Sequence, residues 1–410
     1  MSTFAAVMTG KGTGAIATIQ LFGPKSKTIL KKIFTPARDK SPTLEAGKIH
    51  LGRITDGEET IDQVTIGCES GNSFAINCHG NPLIVEMLMQ LVKKHGAKLI
   101  AAEQLLAKIL SEQKSLNTIA IEAKLTQPKA KTLEGTKIIA NQIESGLTKT
   151  AQQWLDKIES IPLEEIKAGA AEILERSQIA RLLIAGCKIA IAGPPNSGKS
   201  TLLNCLCGTQ KAIVTDIKGT TRDWVSAQCR IGRLSAELID TAGLGEILMA
   251  TAVDKAAQQK STEILQAADL ILFVLDNNQS ADQFDDKLLD KFSVRKILTV
   301  LNKSDLPAKL DAKKLPSVLS DTVLISAKFQ TNIDTLINKI QDLIANRQLD
   351  LHTPVCFTSR QEELLEKLKN ARSKSSAGAV ISKLLNGQIF RHCEEAAKRP
   401  TRQSQSQNTL

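Results

Sequence analysis

Residues 193–200 constrain the fold of this chain more than any other stretch, because their sequence is GPPNSGKS. They match the pattern G-x-x-x-x-G-K-S of a phosphate-binding loop, and they lie between an apolar run and a segment with helical spacing. Such a loop turns several backbone N–H groups toward an anion at the N-terminus of a helix. Lys199 is therefore expected to reach the β- and γ-phosphates of a nucleotide, and the Ser200 hydroxyl to bind Mg²⁺.

Two later segments indicate which base the nucleotide carries. Residues 302–305 (NKSD) follow a predicted strand, and a carboxylate at Asp305 can accept the N1–H and the exocyclic amine of guanine. Adenine has no donor at N1, so the same carboxylate would remain unpaired against it. Residues 326–328 (SAK) follow the next predicted strand and can place backbone N–H groups at the guanine O6. The two segments predict specificity for guanine.

Two segments between these and the phosphate loop are expected to respond to the γ-phosphate. In residues 240–243 (DTAG), Asp240 is expected to hold Mg²⁺ through water and the Gly243 N–H to meet the γ-phosphate. Residues 219–223 (GTTRD) are expected to form a switch loop that closes over the metal and the phosphate. The predicted GTP-binding residues are Asn196, Ser197, Gly198, Lys199, Ser200, Thr201, Thr215, Thr220, Thr221, Asp240, Thr241, Ala242, Gly243, Asn302, Lys303, Asp305, Ser326, Ala327 and Lys328.

The residue that activates water is not evident in these motifs. Leu244 stands after Gly243, where many small GTPases carry a glutamine, and a leucine cannot polarise water. Another residue or a cation must therefore contribute. The amide oxygen of Asn196 could coordinate a monovalent cation beside the phosphates, where the cation would stabilise transition-state charge. The alternative is that Asn196 merely braces the loop.

Composition sets the broad class of the protein. The chain has 410 residues, 42% of them hydrophobic and 23% charged, which is typical of a globular protein of two or three domains. No signal sequence or bilayer-spanning run is evident, so we expect a cytoplasmic protein that does not contact a membrane. Eight cysteines without C-x-x-C spacing are typical of reduced thiols, and a net charge of +10 is compatible with an anionic partner such as RNA.

Hydrophobic periodicity predicts a multidomain α/β plus all-α architecture, in which an α/β domain is inserted between two helical segments. Predicted strands lie at residues 15–23, 62–67, 187–192, 234–239, 270–275, 297–301 and 323–325. Predicted helices lie at residues 26–34, 81–95, 139–158, 163–183, 332–346, 360–373 and 377–385. The helix at 81–95 carries an apolar stripe of Leu83, Met87, Leu88 and Leu91. The expected domains are a small α/β domain (1–108), a first helical part (109–183), a nucleotide-binding domain with a parallel sheet (184–347), a second helical part (348–392) and a disordered basic tail (393–410).

These motifs and their order resemble the tRNA-modification GTPase family known as MnmE or TrmE. The resemblance implies an N-terminal tetrahydrofolate-binding domain and a helical domain interrupted by a Ras-like GTPase domain. It also implies a homodimer formed through the N-terminal domain, with K⁺-dependent pairing of the GTPase domains. With an FAD-dependent partner, members of this family place a carboxymethylaminomethyl group on the wobble uridine of certain tRNAs.

The resemblance also implies roles for individual residues. Mg²⁺ would be held by Ser200 and Thr221. The residues that would hold K⁺ are Asn196, Thr215, Ile217 and Thr220. Besides Lys199, the catalytic residue would be Asp254, with Glu246 as the alternative, and it would orient the attacking water.

The chain departs from the family pattern outside the nucleotide motifs. Gln20 and Gln113 stand where the family has an arginine and a lysine, and Cys393 lacks the x-G-K that follows the family's C-terminal cysteine. These departures argue against folate binding and against thiol chemistry at Cys393. Two alternatives therefore remain open: a family member that binds nucleotide without modification chemistry, and a ribosome-assembly GTP switch of the Era or EngA kind.

Overall fold

The computed structural model describes residues 2–10, 12–37, 44–113, 115–208, 225–240, 263, 265–280, 283, 296–345 and 350–387. These residues separate into two compact units. The first unit contains the described chain up to Ile121 and again from Asn386, and the second contains the described residues of Glu122–Leu385. Within the part of the chain that the structure describes, no helix combines the length and the apolar character needed to cross a membrane.

The first unit contains a mixed sheet with the strand order β3-β4-β5-β6-β2-β1-β7. The strands are β1 (Phe4–Val7), β2 (Ile16–Phe22), β3 (Phe34–Pro36), β4 (Ile49–Asp56), β5 (Glu59–Cys68), β6 (Ser73–His79) and β7 (Lys98–Leu99). The helices are α1 (Ser26–Ile33), α2 (Pro82–Lys94) and α3 (Ala102–Ser111). One face of the sheet packs with α1 and α2 into a hydrophobic core, because apolar residues alternate along β2, β5 and β6. The strands and helices predicted at 15–23, 26–34, 62–67 and 81–95 are confirmed.

Helix α2 begins where the sequence predicts. The Asn81 side chain accepts a hydrogen bond from the Leu83 backbone N–H (2.9 Å) and so caps the helix. Leu88 and Leu91 of the apolar stripe are buried, whereas Leu83 and Met87 are 69% and 45% exposed. The second half of the predicted stripe therefore faces the core, and the first half faces solvent.

The helices after the first sheet are α4 (Thr118–Thr126), α5 (Leu133–Glu144), α6 (Gly146–Asp156) and α7 (Leu163–Ala185). The single helix predicted at 139–158 is wrong, because the chain breaks between α5 and α6. Gly146 has a φ of 40°, which favours glycine, and the Gln142 side chain accepts a hydrogen bond from the Leu147 N–H (2.8 Å) across the break. Helical spacing continues through the break, so periodicity alone does not reveal it.

The two helical parts that flank the inserted domain share one buried ion pair. Glu122 of α4 pairs with Arg360 through two hydrogen bonds of 2.6 and 2.7 Å, and both side chains are less than one-tenth exposed. Arg360 lies in α10 (Ser359–Lys369) and also donates to the Lys383 and Leu384 carbonyls of α11 (Lys374–Asn386). Residues that are far apart in sequence therefore belong to one helical arrangement.

The second sheet has the strand order β13-β12-β11-β8-β10-β9. Its strands are β8 (Cys187–Ala192), β9 (Val225–Ile231), β10 (Leu234–Asp240), β11 (Leu270–Asp276), β12 (Ile297–Asn302) and β13 (Thr322–Leu324), with helices α8 (Lys199–Gly208) and α9 (Ile333–Ala345). Neighbouring strands are parallel, except that β9 pairs antiparallel with β10 at the edge. Apart from β9, which the sequence analysis did not predict, this is the α/β architecture expected for the inserted domain.

Candidate nucleotide-binding site

The described motif residues meet at one edge of the second sheet. The phosphate loop follows β8, Asp240 ends β10, Asn302 ends β12, and Ser326 lies two residues after β13. These four strands run parallel, so their carboxyl ends lie at the same edge, where open α/β sheets bind their ligands. The structure therefore brings together motifs that are separated by more than a hundred residues of sequence.

The phosphate loop requires its glycines. Gly193 has a φ of 142°, and a Cβ there would lie 2.1 Å from the Val274 carbonyl oxygen of the neighbouring strand. Gly198 has a φ of 93°, and its Cβ would lie 2.2 Å from Nδ2 of Asn302. Asn196 also adopts a left-handed conformation, with a φ of 59°. Backbone that curls this tightly beside a helix N-terminus is the form that cradles a phosphate.

Lys199 is the first residue of α8 and is 94% buried, with 6% of its surface exposed. Its ammonium donates a hydrogen bond to the Pro194 carbonyl (2.8 Å), so it lies inside the curl of the loop. The hydroxyl oxygen of Ser197 is buried there and forms no hydrogen bond within the described residues. Thr201, by contrast, is exposed on α8. A buried cation and an unpaired hydroxyl inside the loop suit an anionic ligand.

Two of the three residues expected to hold Mg²⁺, Ser200 and Asp240, contact each other, and the third, Thr221, lies outside the described residues. The Ser200 hydroxyl donates to Oδ2 of Asp240 at 2.7 Å. Asp240 is 3% exposed, and its other carboxylate oxygen, Oδ1, has no hydrogen-bond partner among the described residues. A buried carboxylate oxygen left unpaired is costly, and hard oxygen ligands are those that Mg²⁺ prefers. These two side chains therefore fit the metal.

Asn302 connects three of the motifs. Its amide nitrogen donates to the Ser197 carbonyl in the phosphate loop (2.9 Å), and its amide oxygen accepts from the Ala327 N–H (3.0 Å). The residue is 3% exposed, so both bonds are shielded from solvent. The phosphate loop and residues 326–328 are thus held at a fixed separation by one side chain.

The Asp305 side chain, which is expected to bind the base, is held by a hydrogen bond from Ser326. The Ser326 hydroxyl donates to Oδ1 of Asp305 (2.6 Å) and accepts from the Phe329 N–H (3.3 Å). Asp305 is exposed, and the Lys328 ammonium lies 5.2 Å from the centre of the Phe329 ring. The Asp305 carboxylate is therefore oriented by Ser326 while it remains accessible to a ligand.

Asp276, at the end of β11, is a residue of this site that the sequence analysis missed. Its Oδ2 lies 2.7 Å from the Lys303 ammonium, and it is 4% exposed. The sequence did contain a signal for Asp276. It ends a strand that is otherwise entirely apolar, and an asparagine follows it, at the same edge of the sheet as the other motifs.

Many of the residues singled out from the sequence lie outside the described residues. They are Thr215, Ile217, residues 219–223 (with Thr220 and Thr221), Thr241, Ala242, Gly243, Leu244, Glu246, Asp254 and the tail 393–410.

Gln20, in the first unit, occupies the position at which the resemblance expects an arginine. Its amide nitrogen donates to Oε2 of Glu69 (2.8 Å) and to the Ser73 hydroxyl (2.9 Å), and Ser73 donates to the same carboxylate oxygen. Gln20 and Ser73 are both buried. This cluster pairs a neutral amide with a carboxylate, so it offers no cation to the carboxylates of a folate. The Gln20 cluster therefore lacks the positive charge that the resemblance expects for folate binding.

The described cysteines are free thiols with different surroundings. Burial raises the pKa of Cys187 to about 12. A hydrogen bond from the Cys229 thiol lowers the pKa of the half-buried Cys207. Cys393 lies outside the described residues.

Comparisons with known proteins cover both units. The family described as "GTP-binding protein TrmE N-terminus" matches residues 3–104, and "50S ribosome-binding GTPase" matches residues 188–303. The tRNA modification GTPase MnmE of Thermoanaerobacter sp. (strain X514) is 31% identical over 405 residues, which is 90% of this chain and 87% of that protein. The MnmE of Clostridioides difficile (strain 630) is 28% identical over 93% of this chain and 89% of that protein. A structure of Era with MgGDPNP and 16S ribosomal RNA nucleotides is 29% identical over 38% of this chain and 56% of that chain, with a TM-score of 0.29, too low to support a structural conclusion.

Proposed function

We infer the function of this chain from its family: it belongs to the tRNA modification GTPases named MnmE, and it hydrolyses GTP in the modification of tRNA. As a GTPase of this family it binds GTP or GDP together with Mg²⁺. The observation that carries this function is the contact of Asn302 with both the phosphate loop and the base-reading loop. One buried side chain thereby connects the loop expected to bind the phosphates with the residues expected to bind the base.

We propose the following roles for the described residues of the site. Lys199 contacts the terminal phosphates, and its buried position at the start of α8 places its charge inside the loop. Ser200 directly and Asp240 through water would hold Mg²⁺, which would supply positive charge beside the transferred phosphoryl group. Asp305 accepts the guanine N–H groups while Ser326 holds its carboxylate in place. Asp254 orients the attacking water, a role supported by the family resemblance alone.

We propose that K⁺ stimulates hydrolysis, with Asn196 as one of its ligands. The support is the exposed asparagine in a left-handed conformation at the turn of the loop, together with the resemblance. GTP hydrolysis should then be faster in K⁺ than in Na⁺ at equal ionic strength, and Asn196→Ala should remove most of the difference. Equal rates in the two salts with the wild-type chain would rule out the K⁺ site.

We propose that the chain forms a homodimer through its first unit and works with an FAD-dependent partner on wobble uridine, in the cytoplasm. Ile16, Ile49 and Leu51 support the dimer, because they are 65%, 76% and 51% exposed and lie on the sheet face opposite the core of that unit. Leu51→Glu should shift the sedimentation coefficient toward a monomer. Leu83→Glu, at the exposed leucine of α2, is the control and should leave it unchanged; a dimer that survives Leu51→Glu would contradict this interface.

Complementation tests whether the chain supports tRNA modification. A strain that lacks its own family enzyme would express this chain, and its tRNA nucleosides would be measured by mass spectrometry. Return of the modified wobble uridine is expected with the wild type and not with Lys199→Ala. The Gln20 cluster favours a second candidate function, a nucleotide switch without modification chemistry. GTP hydrolysis without any return of the modified nucleoside would identify that alternative.

A further inference from the structure

An ion pair lies beside the residues that are expected to read the base. The Lys303 ammonium is 2.7 Å from Oδ2 of Asp276, and the lysine side chain is 31% exposed while the aspartate side chain is 6% exposed. Lys303 has a φ of 64°, an uncommon conformation for a lysine. It stands next to the buried Asn302 and two residues before Asp305. Lys303 is therefore held by its ion pair between two residues, Asn302 and Asp305, that are expected to bind the nucleotide.

Hydrogen bonds to its backbone and to its carboxylate hold Asp276 in place. Its other carboxylate oxygen, Oδ1, accepts a hydrogen bond from the Asn278 N–H (2.8 Å). Its own N–H donates to Oε1 of Gln283 (2.9 Å), and its carbonyl accepts from the same glutamine (3.1 Å). Because the residue ends a central, fully buried strand, its carboxylate provides an immobile negative charge.

We propose that Asp276 is a positioning residue for nucleotide binding, which holds the Lys303 ammonium so that the lysine stem forms a preformed apolar surface for the guanine ring. This inference rests on the GTP-binding function proposed above. A lysine side chain has an apolar four-carbon stem and a charged head, and it is highly mobile when free. Anchoring the head before the ligand arrives removes the entropic cost of ordering the stem on binding.

Asp276→Asn tests the anchor, because the amide keeps an oxygen for the Asn278 N–H but loses the charge that holds Lys303. The dissociation constant for a fluorescent guanosine diphosphate should rise about tenfold, a change within the range of interaction energies between residues in direct contact. The rise should come mainly from faster dissociation. The substitution should raise the dissociation constant more than it lowers the hydrolysis rate at saturating GTP, because an anchor for the base does not touch the reacting phosphates.

A double-mutant cycle separates positioning from a general loss of stability. Lys303→Met keeps an unbranched apolar side chain and removes the ammonium. Adding Asp276→Asn to Lys303→Met should weaken binding no further, because the anchor then has nothing to hold. The double variant leaves no unpaired charge and can therefore be measured even if a single variant does not fold. Its affinity for the nucleotide should be about tenfold below that of the wild type.

Asp321→Asn is the matched control. It breaks the ion pair between Asp321 and Lys339, which lies beside the N-terminal end of β13. This end of the parallel strands is opposite to the nucleotide site, so the affinity for the nucleotide should not change. Additive losses in the cycle, or wild-type affinity in Asp276→Asn and in the double variant, would overturn the inference while the proposed function stood. Failure of the wild-type chain to bind guanine nucleotide would overturn both.

Discussion

Asn302→Ala is the substitution whose consequence follows most directly from the structure. It removes the amide that donates to the Ser197 carbonyl and accepts from the Ala327 N–H, and it leaves two backbone groups without partners in a buried place. Each unpaired buried polar group costs about 1–3 kcal/mol, so two cost about 2–6 kcal/mol. Because the loop can relax in part, we expect a loss near the lower end, about 3 kcal/mol.

Thermal unfolding of the full chain measures this loss. For a unit of this size, about 3 kcal/mol corresponds to a decrease in Tm of roughly 6–12 °C. Asn278→Ala is the control, because it removes one exposed hydrogen bond, to the Pro307 carbonyl, and should change stability by no more than about 0.5 kcal/mol. If Asn302→Ala melted within about 2 °C of wild type and bound guanine nucleotide with wild-type affinity, Asn302 would not connect the loops as described.

Two further predictions concern side chains to which no role in nucleotide binding is assigned. Arg360→Met leaves the Glu122 carboxylate buried without its charged partner and should lower the free energy of unfolding by about 3–5 kcal/mol, measured by urea denaturation; an unchanged midpoint would show that the pair is dispensable. At pH 8, Cys207 should react with iodoacetamide faster than Cys187, because the thiolate is the reactive form and a hydrogen bond from Cys229 lowers the pKa of Cys207 while burial raises that of Cys187 to about 12. Peptide mass spectrometry follows both sites, and equal rates would contradict the difference in pKa.

Sequence patterns predicted five of the six strands of the second sheet closely and the edge strand β9 not at all. Strands β8, β11 and β12 are mostly apolar and buried in the interior of the sheet, and β10 alternates apolar with polar residues before its buried end, so their hydrophobic patterns identify them. Strand β9, with the sequence VSAQCRI, lies at the edge and mixes polar with apolar residues. Its pairing is a tertiary property that local pattern does not encode.

The nucleotide site shows the same division. The sequence motifs identified Gly198, Lys199 and Asn302, because the chemistry of phosphate and base binding restricts those positions to particular residue types. The role of Asp276 required coordinates, because its partner, Lys303, lies directly after a different strand, β12, which only the fold brings beside it. The arrangement of Gln20 with Glu69 likewise depends on which strands become neighbours in the first sheet.

The measurement that tests the central claim most directly is the base specificity of hydrolysis by the full chain. The wild type should hydrolyse GTP in the presence of Mg²⁺ and leave ATP and XTP largely intact, because the Asp305 carboxylate pairs with the two N–H groups of guanine. Asp305→Asn should reverse the preference in favour of XTP, since an amide can donate to the oxygen that replaces the guanine amine. Hydrolysis of ATP as readily as GTP by the wild type, or an unchanged preference for GTP in Asp305→Asn, would contradict the account.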